Sequence, residues 1–286
     1  MAESTGTKQQ HVAEVAAGQR FEFGKNWARF LKSLTEDQIV EAQRSLERML
    51  ETGSLAGRSF LDIGSGSGLF SLAARRMDAR VHSFDYDPQS VSCTRELRRK
   101  YFPDDPDWRV DEGSALDREY LRGLGVFDVV YSWGVLHHTG KMWEALESAG
   151  DLVASGGTLF IAIYNDQGTA SLRWRKVKRL YNRLPRGLRF LVVVPSFAVQ
   201  NYAHIIKDFL RLRPFKTMRD YGRNRRGMSM WRDVIDWVGG YPFEFARPDE
   251  IFDFYRKRGF TLERLRTCRG TPGCNQFVFR KTEQIR

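Results

Sequence analysis

Apolar and polar residues along this chain fall into blocks that switch between two periods. From Ser59 onward, short runs of aliphatic and aromatic residues are each followed by a stretch with apolar residues at helical spacing. The pattern predicts strand 59–63, a helix from about 67, strand 79–84, helix 88–101, strand 108–112, helix 117–123, strand 126–131, helix 141–153 and strand 157–163. Strands alternating with helices in this way imply a parallel sheet with helices on both faces. Near the C-terminus the pattern predicts a helix over 248–259 and two strands, 260–267 and 275–281, with a turn at Gly270, Pro272 and Gly273. Upstream, Trp27, Phe30, Leu31 and Leu34 mark one short helix. Thr35 and Gln38 then form a capping box for a second, whose apolar stripe is Ile39, Ala42, Leu46, Met49 and Leu50.

After the fifth strand the character changes. Leu172 to Leu184 sets Val177, Leu180, Tyr181 and Leu184 on one face and Arg173, Arg175, Lys176, Lys178, Arg179 and Arg183 around the rest, which predicts a basic amphipathic helix. The run Phe190 to Val199 is apolar but too short to span a bilayer. A buried cap element is its first reading, and contact with a membrane surface or a lipidic substrate its second. The organisation expected is a disordered lead-in over 1–18, N-terminal helices over 19–56, a core over 57–165 and 248–286, and a mostly helical, basic substrate-cap insertion over 166–247.

Charge sharpens that division. Of the formal +11, residues 171–227 hold 16 Lys or Arg against two acids, Asp208 and Asp220, so this segment alone is +14 and the rest of the chain is −3. A length of 286 residues, 42% hydrophobic, suffices for a full core. Cys93, Cys268 and Cys274 are odd in number and lack paired spacing, so neither a disulfide framework nor a zinc site is expected, and a reducing, cytoplasmic setting fits. The polar first 18 residues lack the apolar stretch of a secretory leader.

The candidate chemistry begins at Phe60 to Phe70, where a strand runs through Asp62, Gly64, Ser65, Gly66 and Gly68 into a helix. Glycines here let the backbone turn sharply and approach a ligand, and the helix presents its first N–H groups beside it. The next strand ends in Asp85, a carboxylate suited to a ribose diol. The dinucleotide fingerprint G-x-G-x-x-G needs a third glycine at 69, but the residue there is Leu69, which argues against NAD or FAD.

With an acidic residue, one apolar residue and G-x-G-x-G, the chain resembles the class I S-adenosylmethionine-dependent methyltransferases. Further segments resemble that family in order: Phe84 to Pro88, Glu112 to Asp117, Phe127 to His138 and Gly156 to Ile163. The resemblance is nearest to ubiquinone-biosynthesis-type O-methyltransferases and related bacterial small-molecule enzymes, over about 57–165 and 248–281. It implies an α/β, Rossmann-like seven-stranded sheet and S-adenosylmethionine as cofactor. Carried over residue by residue, Asp62 serves the methionine end, Gly64, Ser65, Gly66 and Gly68 allow close approach, and Asp85 takes the ribose hydroxyls. Tyr86, Ser114, Ala115 and Leu116 flank the adenine, Ser114 standing where relatives often carry Asp, and Ser132 borders the site. The N-terminal helices pack on the sheet edge as plain structure, or close over the cofactor as the corresponding region can in the family.

For catalysis the resemblance points to the edge after the fourth and fifth strands, with His137, His138, Tyr164 and Asn165 as candidates and Asp166 beside them. A histidine can take a proton from a hydroxyl near neutrality. Because relatives with unrelated substrates often carry a histidine at the position of His138, His137 is the preferred base. Catechol-type relatives bind a metal through an Asp after the fourth strand and an Asp-Asn pair after the fifth. Here Ser132-Trp133 and a reversed Asn165-Asp166 stand there, so no metal is expected. Ser132-Trp133-Gly134-Val135 is also unlike the [DN]-P-P-[YF] motif of nucleobase amino-methyltransferases. The function expected is methyl transfer to an oxygen of a small or lipid-linked acceptor, with an anionic acceptor and peripheral membrane contact suggested by the basic segment. The alternatives are an RNA methyltransferase that tracks phosphates with that segment, and a non-catalytic cofactor-binding partner subunit. Oligomeric state is not legible, and specificity resides in loops that vary independently of the fold.

Overall fold

The computed structural model describes residues 3–211, 213 and 230–283. Its sheet is built from β1 (Ser59–Ile63), β2 (Arg80–Asp85), β3 (Trp108–Glu112), β4 (Phe127–Trp133), β5 (Val153–Tyr164), β6 (Phe260–Arg266) and β7 (Cys274–Lys281). The strand order is β3-β2-β1-β4-β5-β7-β6, and β7 alone runs antiparallel to both of its neighbours. In β1, every residue from Phe60 to Ile63 is buried, as a strand covered on both faces requires. This is the predicted seven-stranded α/β sheet.

Helices α4 (Leu69–Arg76), α5 (Pro88–Tyr101), α6 (Arg118–Leu124) and α7 (Met142–Asp151) connect the parallel strands. Two large apolar clusters form the core, one on each face: Leu61, Val130, Leu146, Leu159 and Phe279 belong to the first, and Leu46, Phe60, Leu72, Trp108 and Phe160 to the second. Chain order reverses between β1, whose next strand lies to one side, and β4, which lies to the other. Loops at the carboxyl ends of these strands therefore diverge and leave a crevice, the usual ligand position in open α/β sheets.

The N-terminal region departs from expectation. Residues expected as a disordered lead-in form α1 (Glu3–Ala16), followed by α2 (Gly24–Lys32) and α3 (Glu36–Leu50). The polar composition of α1 reads as disorder because its order comes from tertiary contacts: His11 is buried against Asp87 and Tyr86, and Glu14 pairs with Arg20. For α3 the expected capping box forms: Gln38 donates its N–H to the Thr35 hydroxyl, and the Gln38 side chain accepts the Thr35 N–H at 2.8 Å. Its buried residues are Ile39, Ala42, Leu46 and Met49.

Between β5 and β6 lie α8 (Thr169–Arg183), α9 (Phe190–Leu210), α10 (Met230–Gly239) and α11 (Pro248–Arg256). Tyr181, Val192, Val193, Val234 and Val238 make a third, smaller apolar cluster that joins α8, α9 and α10. The face expected on α8 is rotated: Leu180 is 53% exposed, whereas Lys178, expected on the basic surface, is 0% exposed. The apolar run in α9 is only partly a buried cap, since Phe190, Leu191, Val194 and Val199 are each more than half exposed. The part of the basic segment at 214–227 lies outside the described residues. Among the described residues no helix is long and apolar enough to cross a membrane.

Candidate active site

The glycine loop is stitched to the end of β2. Gly64 and Ser65 donate their N–H groups to the Phe84 carbonyl at 2.8 and 3.1 Å, and Gly66 donates to Asp85 Oδ2 at 2.8 Å. Gly64 (φ 78°) and Gly66 (φ 57°) adopt left-handed conformations that favour glycine. Space also demands it: a Cβ on Gly64 would sit 2.3 Å from Val135 Cγ1, and one on Gly66 would sit 2.9 Å from Trp27 Nε1. The Trp27 indole of α2 therefore lies directly against the loop.

Asp62 is fixed from behind by a relay of side chains. Trp108 Nε1 donates to Ser83 Oγ (2.9 Å), Ser83 to Ser71 Oγ (2.8 Å), and Ser71 to Asp62 Oδ2 (2.5 Å). The relay crosses from β3 through β2 and α4 to β1, so the orientation of this carboxylate is set by the sheet itself. Burial pushes the Asp62 carboxyl up to about 7, with Ser71 opposing and Asp85 adding to the rise. Asp85 accepts Gly66 on one oxygen and the Asp87 N–H on the other (2.8 Å), and burial raises it likewise to about 7.

The N-terminal helices meet the site at residues that the sequence reading passed over. Asp87 caps α5 by accepting the Gln89 N–H (2.9 Å) and also accepts the Gly24 N–H (2.7 Å), with His11 Nε2 at 3.8 Å. Its position just before Pro88 at a helix start is a readable N-cap signal, although nothing local announces its bond to Gly24. Arg20 lies over the Tyr86 ring (4.7 Å to its centroid), pairs with Glu14 (2.7 Å) and donates to the His138 carbonyl (2.9 Å).

Several expected site residues carry structural bonds. Ser132 is fully buried and donates its hydroxyl to the Ile63 carbonyl (3.0 Å), which locks β4 to β1. Ser114 Oγ accepts the Leu116 N–H (3.2 Å) and shapes its own turn, while Ala115 is buried in the core and Leu116 packs against it. Asn165 Oδ1 accepts the Asn275 amide (3.0 Å), and Asp166 accepts the Gly168 N–H (2.7 Å) at the start of α8.

His137, His138 and Tyr164 do come together. The His137 ring lies 4.5 Å from that of His138 and 4.0 Å from that of Tyr164. The backbone N–H of Tyr164 donates to His137 Nδ1 (3.3 Å), so in the neutral ring the proton sits on Nε2, which is buried without a partner. His138 is the reverse: its Nδ1 lies 2.6 Å from the Pro242 carbonyl oxygen, which can only accept, so Nδ1 carries the proton and Nε2 the lone pair. Burial drives both rings toward the neutral form, His137 well below its ordinary value and His138 down to about 3.

Lys178 reaches into this cluster from α8. Its Nζ donates to the Trp237 carbonyl and lies 4.2 Å from the Trp237 ring centroid, 4.6 Å from that of Phe243 and 5.9 Å from that of Tyr164. Burial alone lowers its amine to about 7. One signal was available in the sequence: Lys178 stands four residues after Trp174 and three before Tyr181, on the face that packs.

Comparison with known proteins agrees with this architecture. Residues 61–159 match the family described as a methyltransferase domain. The ubiquinone biosynthesis O-methyltransferase of Xanthomonas campestris pv. campestris (strain B100) is 32% identical over 112 residues, 39% of this chain and 45% of that one, so the match spans less than half the relative's length. The Nitrosococcus oceani protein of the same name is 24% identical over 227 residues, 77% of this chain and 70% of that one. Among solved structures, magnesium protoporphyrin IX methyltransferase from Synechocystis PCC 6803 with bound SAH has the same fold, with a TM-score of 0.51 at 12% identity over 85% of this chain and 83% of that one. Residues 61–159, which hold the glycine loop, Asp85 and the histidine pair, are similar to that methyltransferase-domain family.

Proposed function

We propose that this chain transfers the methyl group of S-adenosylmethionine to an oxygen of a small or lipid-linked acceptor. The observation that carries the reading is the junction of the glycine loop with Asp85. Among the described residues, the half-buried Asp85 carboxylate accepts one backbone N–H on each oxygen, which keeps lone pairs for two more donors, and a ribose diol supplies them. Asp62, braced through Ser71, faces the same loop and serves the amino group of the methionine end. The cofactor supplies a methyl on a positively charged sulfur. What remains for the protein is to hold an acceptor oxygen in line with it and to keep water out.

The two histidines fit an orienting role. With Nε2–H as a donor, His137 addresses an acceptor oxygen rather than taking its proton. His138, held near 3, stays neutral and grips the Pro242 segment. The likeness to ubiquinone biosynthesis O-methyltransferases supports an oxygen acceptor. The exposed apolar residues of α9, beside the basic surface of α8, support one carrying a lipid tail, presented from an anionic membrane.

The test is incubation of the purified protein with methyl-labelled cofactor and fractionated cell extract, followed by mass spectrometry of metabolites, lipids and RNA. Label in a small molecule or lipid, as an alkali-stable methyl ether, supports the reading. Label only in RNA, or cofactor binding without any turnover, overturns it.

A further inference from the structure

We propose that Lys178 is the binding point for an oxyanion of the methyl acceptor. The inference rests on the methyltransferase reading for the word acceptor, but the site stands on its own geometry. The Lys178 side chain is fully buried, and among the described residues Nζ has one hydrogen-bond partner, the Trp237 carbonyl. An ammonium carries three N–H donors, so two are left without acceptors. Ring faces of Trp237, Phe243 and Tyr164 enclose it, and among the described residues no carboxylate lies within ion-pairing distance.

The surrounding groups explain why the missing charge must come from outside. From the turn after β4, His137 and His138 face the cluster as neutral rings. From β5, Tyr164 presents a phenol that burial keeps protonated. The carboxylate of Asp236, next to Trp237 on α10, accepts the Asn26 amide, and that of Glu244 accepts the Met142 N–H. On α8 itself, Arg175 and Arg179 are exposed, and Arg179 bonds the Tyr241 hydroxyl. Among the described residues, every neighbour is neutral, cationic or already engaged. Burying a cation under such conditions is costly, and a Met or Leu at 178 would fill the same space without that cost.

Its location ties the site to transfer. Tyr164, the last residue of β5, packs its ring on both histidines and lies 5.9 Å, centroid to Nζ, from Lys178. Tyr164 and Trp237 are each partly exposed and pack edge to face at 5.6 Å, so an acceptor that brings an ionised oxygen to Nζ does so by parting these two rings. The oxyanion has two sources: the nucleophilic oxygen itself as a phenolate, or a separate acid group such as a carboxylate. Both give the amine its counter-charge and fill its unused donors.

The test uses the full chain saturated with S-adenosylhomocysteine and labelled at lysine Cε with carbon-13, with K178M to assign the resonance. Three probes are titrated: 4-nitrophenol, whose absorbance reports its own ionisation, benzoate, and uncharged benzamide. The expected result is that an anionic probe raises the Lys178 titration midpoint by at least one pH unit, that benzamide does not, and that K178M binds that anion at least tenfold more weakly while K178R keeps most of the affinity. An effect of 4-nitrophenolate alone assigns the nucleophilic oxygen, and an effect of benzoate assigns an acid group. A midpoint unmoved by both anions, or equal binding of all three probes to the wild type and K178M, overturns the proposal. If S-adenosylhomocysteine fails to bind yet an anion still shifts Lys178, the methyltransferase reading falls and the anion site stands.

Discussion

Asp85 holds the glycine loop as well as standing beside it: its Oδ2 accepts the Gly66 N–H at 2.8 Å, so the carboxylate proposed to take the ribose also fixes the loop proposed to approach the cofactor. Replacing Asp85 with Ala removes both functions. Affinity for S-adenosylmethionine is expected to drop by about 1.5–3 kcal/mol, the scale of charge-assisted hydrogen bonds, and calorimetry measures it. Unchanged affinity in D85A would sink the ribose assignment.

A pH dependence follows from the same carboxylate. Burial raises Asp85 and Asp62 to about 7, so both are ionised above that pH and protonate as pH falls through it. Binding that needs the ionised forms is therefore intact at pH 8 and weakens as pH falls below 7, by about tenfold per unit for each group that must ionise. Titrations at pH 8, 7 and 6 should show this decline, and D85N should show a shallower one. A flat profile in the wild type would mean that the cofactor does not rely on these charges.

The parts of this fold that local pattern encodes were legible. The periodicity of Ser59 to Ile163 gave the alternating units, and Thr35 with Gln38 marked the start of α3 correctly. What failed were residues whose state depends on distant partners. Helix α1 looks disordered because its ordering contacts, from His11 to Asp87 and from Glu14 to Arg20, lie elsewhere in the chain. For Ser132 the motif was recognisable, but the bond from its hydroxyl to the Ile63 carbonyl across the sheet was not. Lys178 was placed on the surface by its charge, since nothing in its own helix shows that Trp237 and Phe243 enclose it.

Arg20 links three places at once, through Glu14, the Tyr86 ring and the His138 carbonyl. The R20A variant should release α1 from the site. Expected are faster proteolytic cleavage within residues 3–20 and a loss of about 1–3 kcal/mol in cofactor affinity, the scale for removing one partner of partly buried charged bonds. Cleavage at the wild-type rate would show that α1 is held by His11 and Asp87 alone.

The opposed tautomers of the histidines separate donor from base. Gln at 137 can present an N–H near the position of Nε2, whereas Ala cannot. If His137 acts as a donor, H137Q keeps turnover within about tenfold of wild type and H137A loses roughly 10²-fold or more; if it acts as a general base, both lose 10²–10⁴-fold. Equal losses in the two variants, with unchanged cofactor affinity, would restore the base.

Lys178 also makes a prediction about stability that needs no acceptor. Its amine is lowered to about 7 in the folded chain from an ordinary 10.5, because burial disfavours the charged form. Between those values the unfolded chain holds a proton that the folded chain lacks, so this group's contribution to stability rises as pH climbs from about 7 to 10.5. Below 7 both states are protonated and the full cost of the buried charge applies. K178M removes that cost. At pH 6 it should therefore be more stable than wild type by about 1–4 kcal/mol, the range found when buried charges are replaced by apolar groups of similar size. The advantage should shrink steadily at pH 8 and pH 10, as the folded wild-type amine sheds its proton while the unfolded one keeps it until about 10.5. Urea unfolding of the two proteins at these three pH values, without ligand, measures the difference directly. A wild type more stable than K178M at pH 6 would mean that the ammonium is well compensated within the fold, and that burial has not left it short of charge.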